Sequence, residues 1–140
     1  MEGLLNKSAR RLALWGIYGA FAGYAIYANW HSAMFQFGGP LWIWKAILWA
    51  TLAGFLAYSV YCSSREDLFR SIGVILTMHW GRQISADLYL GLLVGMFFIY
   101  LHDGAVIALI WLLPTLAFAN LSILLYMAIN FESIVTRFLI

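Results

Sequence analysis

Charge is scarce in this sequence: Asp, Glu, Lys and Arg make up 10% of its 140 residues, where soluble domains carry about 25%. So small a polar complement cannot cover a water-soluble globule. The formal charge is only +2 and the basic residues form no dense run, so nothing electrostatic points to nucleic acid as a partner. Cys62 is the one cysteine, which excludes an internal disulfide and a Cys-x-x-Cys redox pair. The chain also lacks His-Glu-x-x-His, Gly-x-Ser-x-Gly, a glycine-rich phosphate loop and any Cys/His spacing suited to a metal. Soluble-type catalysis and a metal centre therefore have no motif behind them.

What is present is apolar and aromatic. Hydrophobic residues account for 64% of the chain and aromatics for 18%, with seven Trp and eight Tyr, and the mean hydropathy is +0.86. Tryptophan and tyrosine favour the lipid headgroup level. The lipid bilayer is accordingly the first expected partner, and one integral membrane domain over 1–140 is the expected organisation.

Crossing the hydrocarbon core takes roughly 20 apolar residues in a helix. Four such runs lie between charges, at about 12–30, 41–61, 84–101 and 105–129. The first follows Lys7, Arg10 and Arg11 and superficially resembles a secretory signal. Its length, its aromatic content and the absence of a small residue at Ile26 predict a retained helix instead. Gly38-Gly39-Pro40 and His102-Asp103-Gly104 supply turns. Between the second and third runs, Ser63-Ser64-Arg65-Glu66-Asp67 predicts a fresh helix start. Apolar residues then recur at Leu68, Phe69, Ile72, Ile75 and Leu76, the pattern of an amphipathic helix lying at the membrane surface over about 65–80. A hinge at Gly81 keeps Arg82 out of the bilayer. The expected fold is all-α: a polytopic four-helix membrane bundle with one added interfacial helix between the second and third spans.

Orientation follows from the basic residues flanking the spans, which concentrate in cytoplasmic loops. In a four-span chain Lys7, Arg10, Arg11, Arg65, Arg70, Arg82 and Arg137 fall on one side and Lys45 on the other. That predicts both termini cytoplasmic, in a plasma or inner membrane.

Small residues at a spacing of four mark faces where membrane helices pack. Gly16, Gly19 and Gly23 mark one in the first helix, and Gly91 and Gly95 mark another in the third. On the third helix Asp87, Gly91, Gly95, Phe98 and His102 share one stripe.

Three intramembrane polar residues are candidates for chemistry. Asp87 suits a proton or cation site, or more simply a helix-start carboxylate paired with Arg82. Lys45, between Trp42 and Trp49, suits an anionic group held against indole rings, or a lysine snorkelling to the outer interface. Asn120, beyond the helix-bending Pro114, suits a cross-helix hydrogen bond to Asp87 or a tyrosine hydroxyl. His31 and His102 end helices that run in the same direction, so the sequence allows paired ligation of haem b or, with Asp103 beside them, of a metal ion. Hydrogen-bonded interfacial histidines are the plainer reading.

The function favoured by these features is a non-catalytic membrane protein, either a helix-packing subunit of a larger membrane complex or a homo-oligomeric bundle. Two alternatives compete. One is a small transporter or channel using Asp87 and Asn120; the other is a membrane enzyme or cofactor carrier for a lipid, isoprenoid or quinone.

Overall fold

A computed structural model describes residues 2–29 and 39–139, and every regular element among them is helical. In chain order these are α1 (Glu2–Ala28), α2 (Trp42–Arg65), α3 (Leu68–Ile75), α4 (His79–Asp103), α5 (Ala105–Phe118), α6 (Asn120–Ile129) and α7 (Phe131–Leu139). Two of them, α2 and α4, are long and apolar enough to cross a membrane, and a third crossing is available if α6 and α7, bent by 75°, count as one. An all-helical integral membrane protein is thus plausible on length and composition.

The four-span bundle expected from the sequence is not reproduced, because the fourth apolar run is not one helix. It breaks at Ala119, whose φ of 53° lies in the left-handed region, and folds back on itself. Thr115 Oγ1 lies 3.2 Å from Ser122 Oγ, and the Trp111 and Tyr126 rings stand 5.2 Å apart. Fifteen residues of straight helix would separate those two rings by about 22 Å. The result is a helical hairpin, α5 descending and α6 returning. Pro114 sits inside α5 without ending it; the reversal comes five residues later.

The bundle has two ends. At the first, the middle of α1 passes the end of α2, with Trp15 Nε1 donating to Ser63 Oγ at 3.1 Å. At the second, α2 begins, α4 finishes and α7 crosses over both: Glu132 meets Lys45 and Ser133 meets His102. The hairpin hangs from this second end. An aromatic column fixes α1 to it, through Phe21 against Trp111 at 5.0 Å and Tyr18 against Phe118 at 4.9 Å. The Tyr18 hydroxyl donates to the Leu121 carbonyl at the hairpin tip, at 3.2 Å. Edge-to-face pairs of this kind contribute about 0.5–1.5 kcal/mol each.

The middle segment differs in detail from expectation. Helix α2 runs on through Ser63 and Ser64 to Arg65, so these serines do not cap a new helix. Asp67 does, accepting from the Phe69 amide at 3.1 Å. The helix that follows covers only Leu68–Ile75, and its apolar residues Leu68, Phe69 and Ile72 are exposed. Residues 76–78 make the connection to α4. Gly81 is therefore not the hinge; it lies in the first turn of α4, buried against the chain ahead of it. A Cβ there would fall 1.9 Å from the Ile75 carbonyl oxygen. The residue is glycine because α3 and α4 approach too closely for any side chain.

Candidate functional site

The polar side chains collect at the second end of the bundle, and the sequence places them there step by step. Helix α4 ends on His102 and Asp103, and Gly104, at φ +88°, turns the chain into α5 without the steric cost a side chain would incur. The hairpin then returns Tyr126 to the same level. Asn130 ends α6, and α7 lays Glu132, Ser133 and Arg137 across the helix ends.

These groups form one continuous hydrogen-bonded cluster. The Tyr126 hydroxyl donates to Asp103 Oδ2 at 2.5 Å, and His102 Nδ1 lies 2.6 Å from that same hydroxyl oxygen. With its single proton given to Asp103, the hydroxyl accepts from His102 Nδ1–H. His102 Nε2, 3.0 Å from Ser133 Oγ, then accepts the serine proton. Arg137 closes the group by donating to the His102 carbonyl oxygen. A neutral imidazole satisfies every partner in this chain of donors. Both ring nitrogens of the buried His102 are thereby engaged, and neither points at an open coordination position. His31, the other half of the haem b reading, lies outside the described residues.

Beside this cluster, Lys45 Nζ stands 3.2 Å from Glu132 Oε1. The lysine side chain is 0% exposed and the glutamate 46%. Lys45 therefore turns into the protein rather than snorkelling outward between Trp42 and Trp49. Burying an ammonium costs several kcal/mol unless its charge is compensated, and the carboxylate delivered by α7 supplies part of that compensation.

The remaining candidates lie elsewhere. Asp87 and Asn120 are both exposed, and among the described residues neither has a hydrogen-bond or ion-pair partner. Arg82 does not pair with Asp87; its Nε reaches back to the Leu76 carbonyl at 2.9 Å. Asn120 opens α6 immediately after the reversal, and the cross-helix bond expected of it is made instead by Thr115 and Ser122, both buried.

The α4 stripe changes character along its length. At the second end His102 is buried and Phe98 stacks on Phe138 at 5.2 Å. In the middle, a Cβ on Gly95 would meet Ile123 Cδ1 at 3.1 Å. Toward the first end, Gly91 has nothing within 4 Å and Asp87 stands unpartnered. The cause is length: α6 has 10 residues against 25 in α4, about 15 Å against about 38 Å, so the hairpin covers only the second half of the stripe. Gly16, Gly19 and Gly23 on α1 are likewise open, with nothing within 4 Å.

Sequence reasoning placed Asp103 beside His102 but missed its grouping with Tyr126, Ser133, Glu132 and Arg137. The periodic spacing of Asn130, Ser133 and Arg137 after the last apolar run was the available signal for a polar helix folded back on the bundle. No family model matches the chain, and neither a curated protein nor a solved structure does.

Proposed function

We propose that this chain is a non-catalytic integral membrane protein, a helix-packing subunit that completes its bundle against a further membrane helix on the open half of α4. One observation carries the reading: Asp87 and Gly91 lie on a membrane-length helix, beyond the tip of the hairpin that covers the rest of the stripe, without a partner among the described residues. A carboxylate facing lipid is costly and seeks a polar partner. Gly91 beside it lets another backbone approach closely. The polar cluster at the second end supports a structural role in turn, since its groups satisfy one another.

In this reading α2 and α4 are the crossings that length and composition support, α1 joins them through its shorter apolar run over 12–28, α5 and α6 form a re-entrant hairpin, and α3 is an interfacial helix. Arg10, Arg11, Arg65, Arg70 and Arg82 gather at the first end and Lys45 and Arg137 at the second, which orients the start of α1 toward the cytoplasm and α7 away from it. This differs from a four-span chain with both termini inside, because the fourth run returns to the end it started from.

Native mass spectrometry in mild detergent tests the association. The expected species is an oligomer of this chain or a complex with a copurifying membrane protein, and Gly91→Leu shifts it to monomer without lowering the melting temperature. A strictly monomeric wild type with nothing copurifying overturns the proposal.

A further inference from the structure

At the first end of the bundle, Arg11 of α1, Arg65 at the end of α2 and Arg70 of α3 line one groove of about 600 Å³. Arg11 is more than fifty residues from the other two in sequence, and the fold brings it to them because α1 passes the α2–α3 corner at residues 10–14. An adjoining groove adds Arg10. None of these arginines forms an ion pair among the described residues. Arg65 carries only a cation–π contact, 5.3 Å from the Tyr61 ring centre.

Two carboxylates share the groove, and both are partly committed. Asp67 Oδ1 caps the Phe69 amide, and Glu66 Oε2 accepts from the Ser71 hydroxyl at 3.1 Å. Val74 and Ile75 of α3 line the same groove, and Ile72, next to Ile75 around the helix, is also exposed. Forked cations and apolar side chains in one groove match a ligand that joins a phosphate to a hydrocarbon. Guanidinium groups bind phosphate oxygens in bidentate fashion, and the free oxygens of Glu66 and Asp67 can accept from headgroup hydroxyls.

We propose that the groove between α1, the α2 end and α3 is a binding site for a phosphate-bearing anion at the membrane surface, with an anionic phospholipid headgroup as its source. The apolar part of the lining, Val74 and Ile75, favours lipid over free phosphate. The proposal is independent of the association at Asp87 and Gly91, which lies on another helix face.

The full chain, purified in a neutral maltoside detergent, is titrated with phosphatidylglycerol, with phosphatidylcholine and with inorganic phosphate, and binding is read by native mass spectrometry and thermal shift. Phosphatidylglycerol is expected to bind and stabilise in preference to phosphatidylcholine. Each arginine replaced by glutamine is expected to weaken it about fivefold, and the triple Arg11→Gln, Arg65→Gln, Arg70→Gln about a hundredfold. The triple Arg→Lys protein, which keeps the charge, retains most of the preference. Displacement of the lipid by inorganic phosphate supports the shared phosphate chemistry, and failure to displace it supports the lipid as the source. Equal binding of the two lipids, or unchanged phosphatidylglycerol binding by the glutamine triple, overturns the proposal. Arg70→Gln alone, on the exposed side of α3, carries the test if the triple protein does not purify.

Discussion

Lys45 Nζ and Glu132 Oε1, 87 residues apart in sequence, meet at 3.2 Å, and this contact holds the last helix across the start of α2. The two partners are unequally placed, the lysine fully buried and the glutamate nearly half exposed. Removing the carboxylate takes the opposite charge of this pair away from a buried ammonium; removing the lysine leaves a carboxylate that water can solvate. Glu132→Gln should therefore destabilise the fold more than Lys45→Met, by about 2 kcal/mol against about 1 kcal/mol once solvent screening of the exposed partner is allowed for. The double variant should be more stable than the sum of the singles implies. Unfolding in mixed micelles with rising SDS fraction measures all three.

The hydroxyl of Tyr126 bridges Asp103 and His102, yet these two also approach each other directly, with His102 Nδ1 3.1 Å from Asp103 Oδ2. Tyr126→Phe thus leaves an existing contact to take over and should cost about 1 kcal/mol. His102→Leu removes the group that links α4 to Ser133 of α7, and should cost about 2 kcal/mol. If the order of these two losses is reversed, the tyrosine rather than the histidine is the centre of the cluster.

Composition and periodicity made the all-helical character legible and the presence of helices apolar enough to cross a membrane, along with the start of α2, a short separate helix after Asp67 and the turn at Gly104. The reversal at Ala119 was not legible. Residues 105–129 are uniformly apolar, so periodicity there is silent about direction, and neither glycine nor a turn pair marks the break; alanine at a positive φ leaves no trace in sequence. Everything downstream depended on that reversal. A continuous fourth span sends Glu132 and Arg137 to the opposite end from Lys45 and His102, and the polar cluster cannot be assembled. Asp87 and Gly91 were readable as a stripe, but their openness was not, since it arises from the shortness of α6.

Backbone strain at Ala119 offers a direct check of the hairpin. Its φ of 53° and ψ of −124° suit glycine and disfavour any residue with a Cβ. Ala119→Gly should raise stability by about 1 kcal/mol, after allowance for the greater chain entropy of the unfolded state. In a continuous helix the same change would lower stability by about as much, so the sign alone distinguishes the two structures.

Gly81 provides the opposite case. Its added Cβ would lie 1.9 Å from the Ile75 carbonyl oxygen and 2.9 Å from Ile75 Cγ2, and the first of these is backbone that cannot rotate aside. Gly81→Ala should force α3 away from α4 and raise hydrogen exchange across residues 68–78, at a cost of about 2 kcal/mol. Gly16→Ala, with nothing within 4 Å, serves as the matched control and should leave exchange in α3 unchanged.

The proposed re-entrant hairpin predicts which parts of the chain share a side of the membrane. Ser8 near the start of α1 and Thr136 on α7 are both exposed and lie at opposite ends of the bundle, as the Trp15–Ser63 and Lys45–Glu132 contacts require. With the exposed Cys62 changed to serine, single cysteines at these two positions should label from opposite faces with an impermeant maleimide in oriented cells. Ser8→Cys should react only after permeabilisation and Thr136→Cys before it. A single span over 105–129 would carry residue 136 to the same face as residue 8, so labelling of both from one side would reject the re-entrant hairpin. It would also sharpen the charge asymmetry between the two ends, because Arg137 would then join the arginines of the first end and leave Lys45 opposite them.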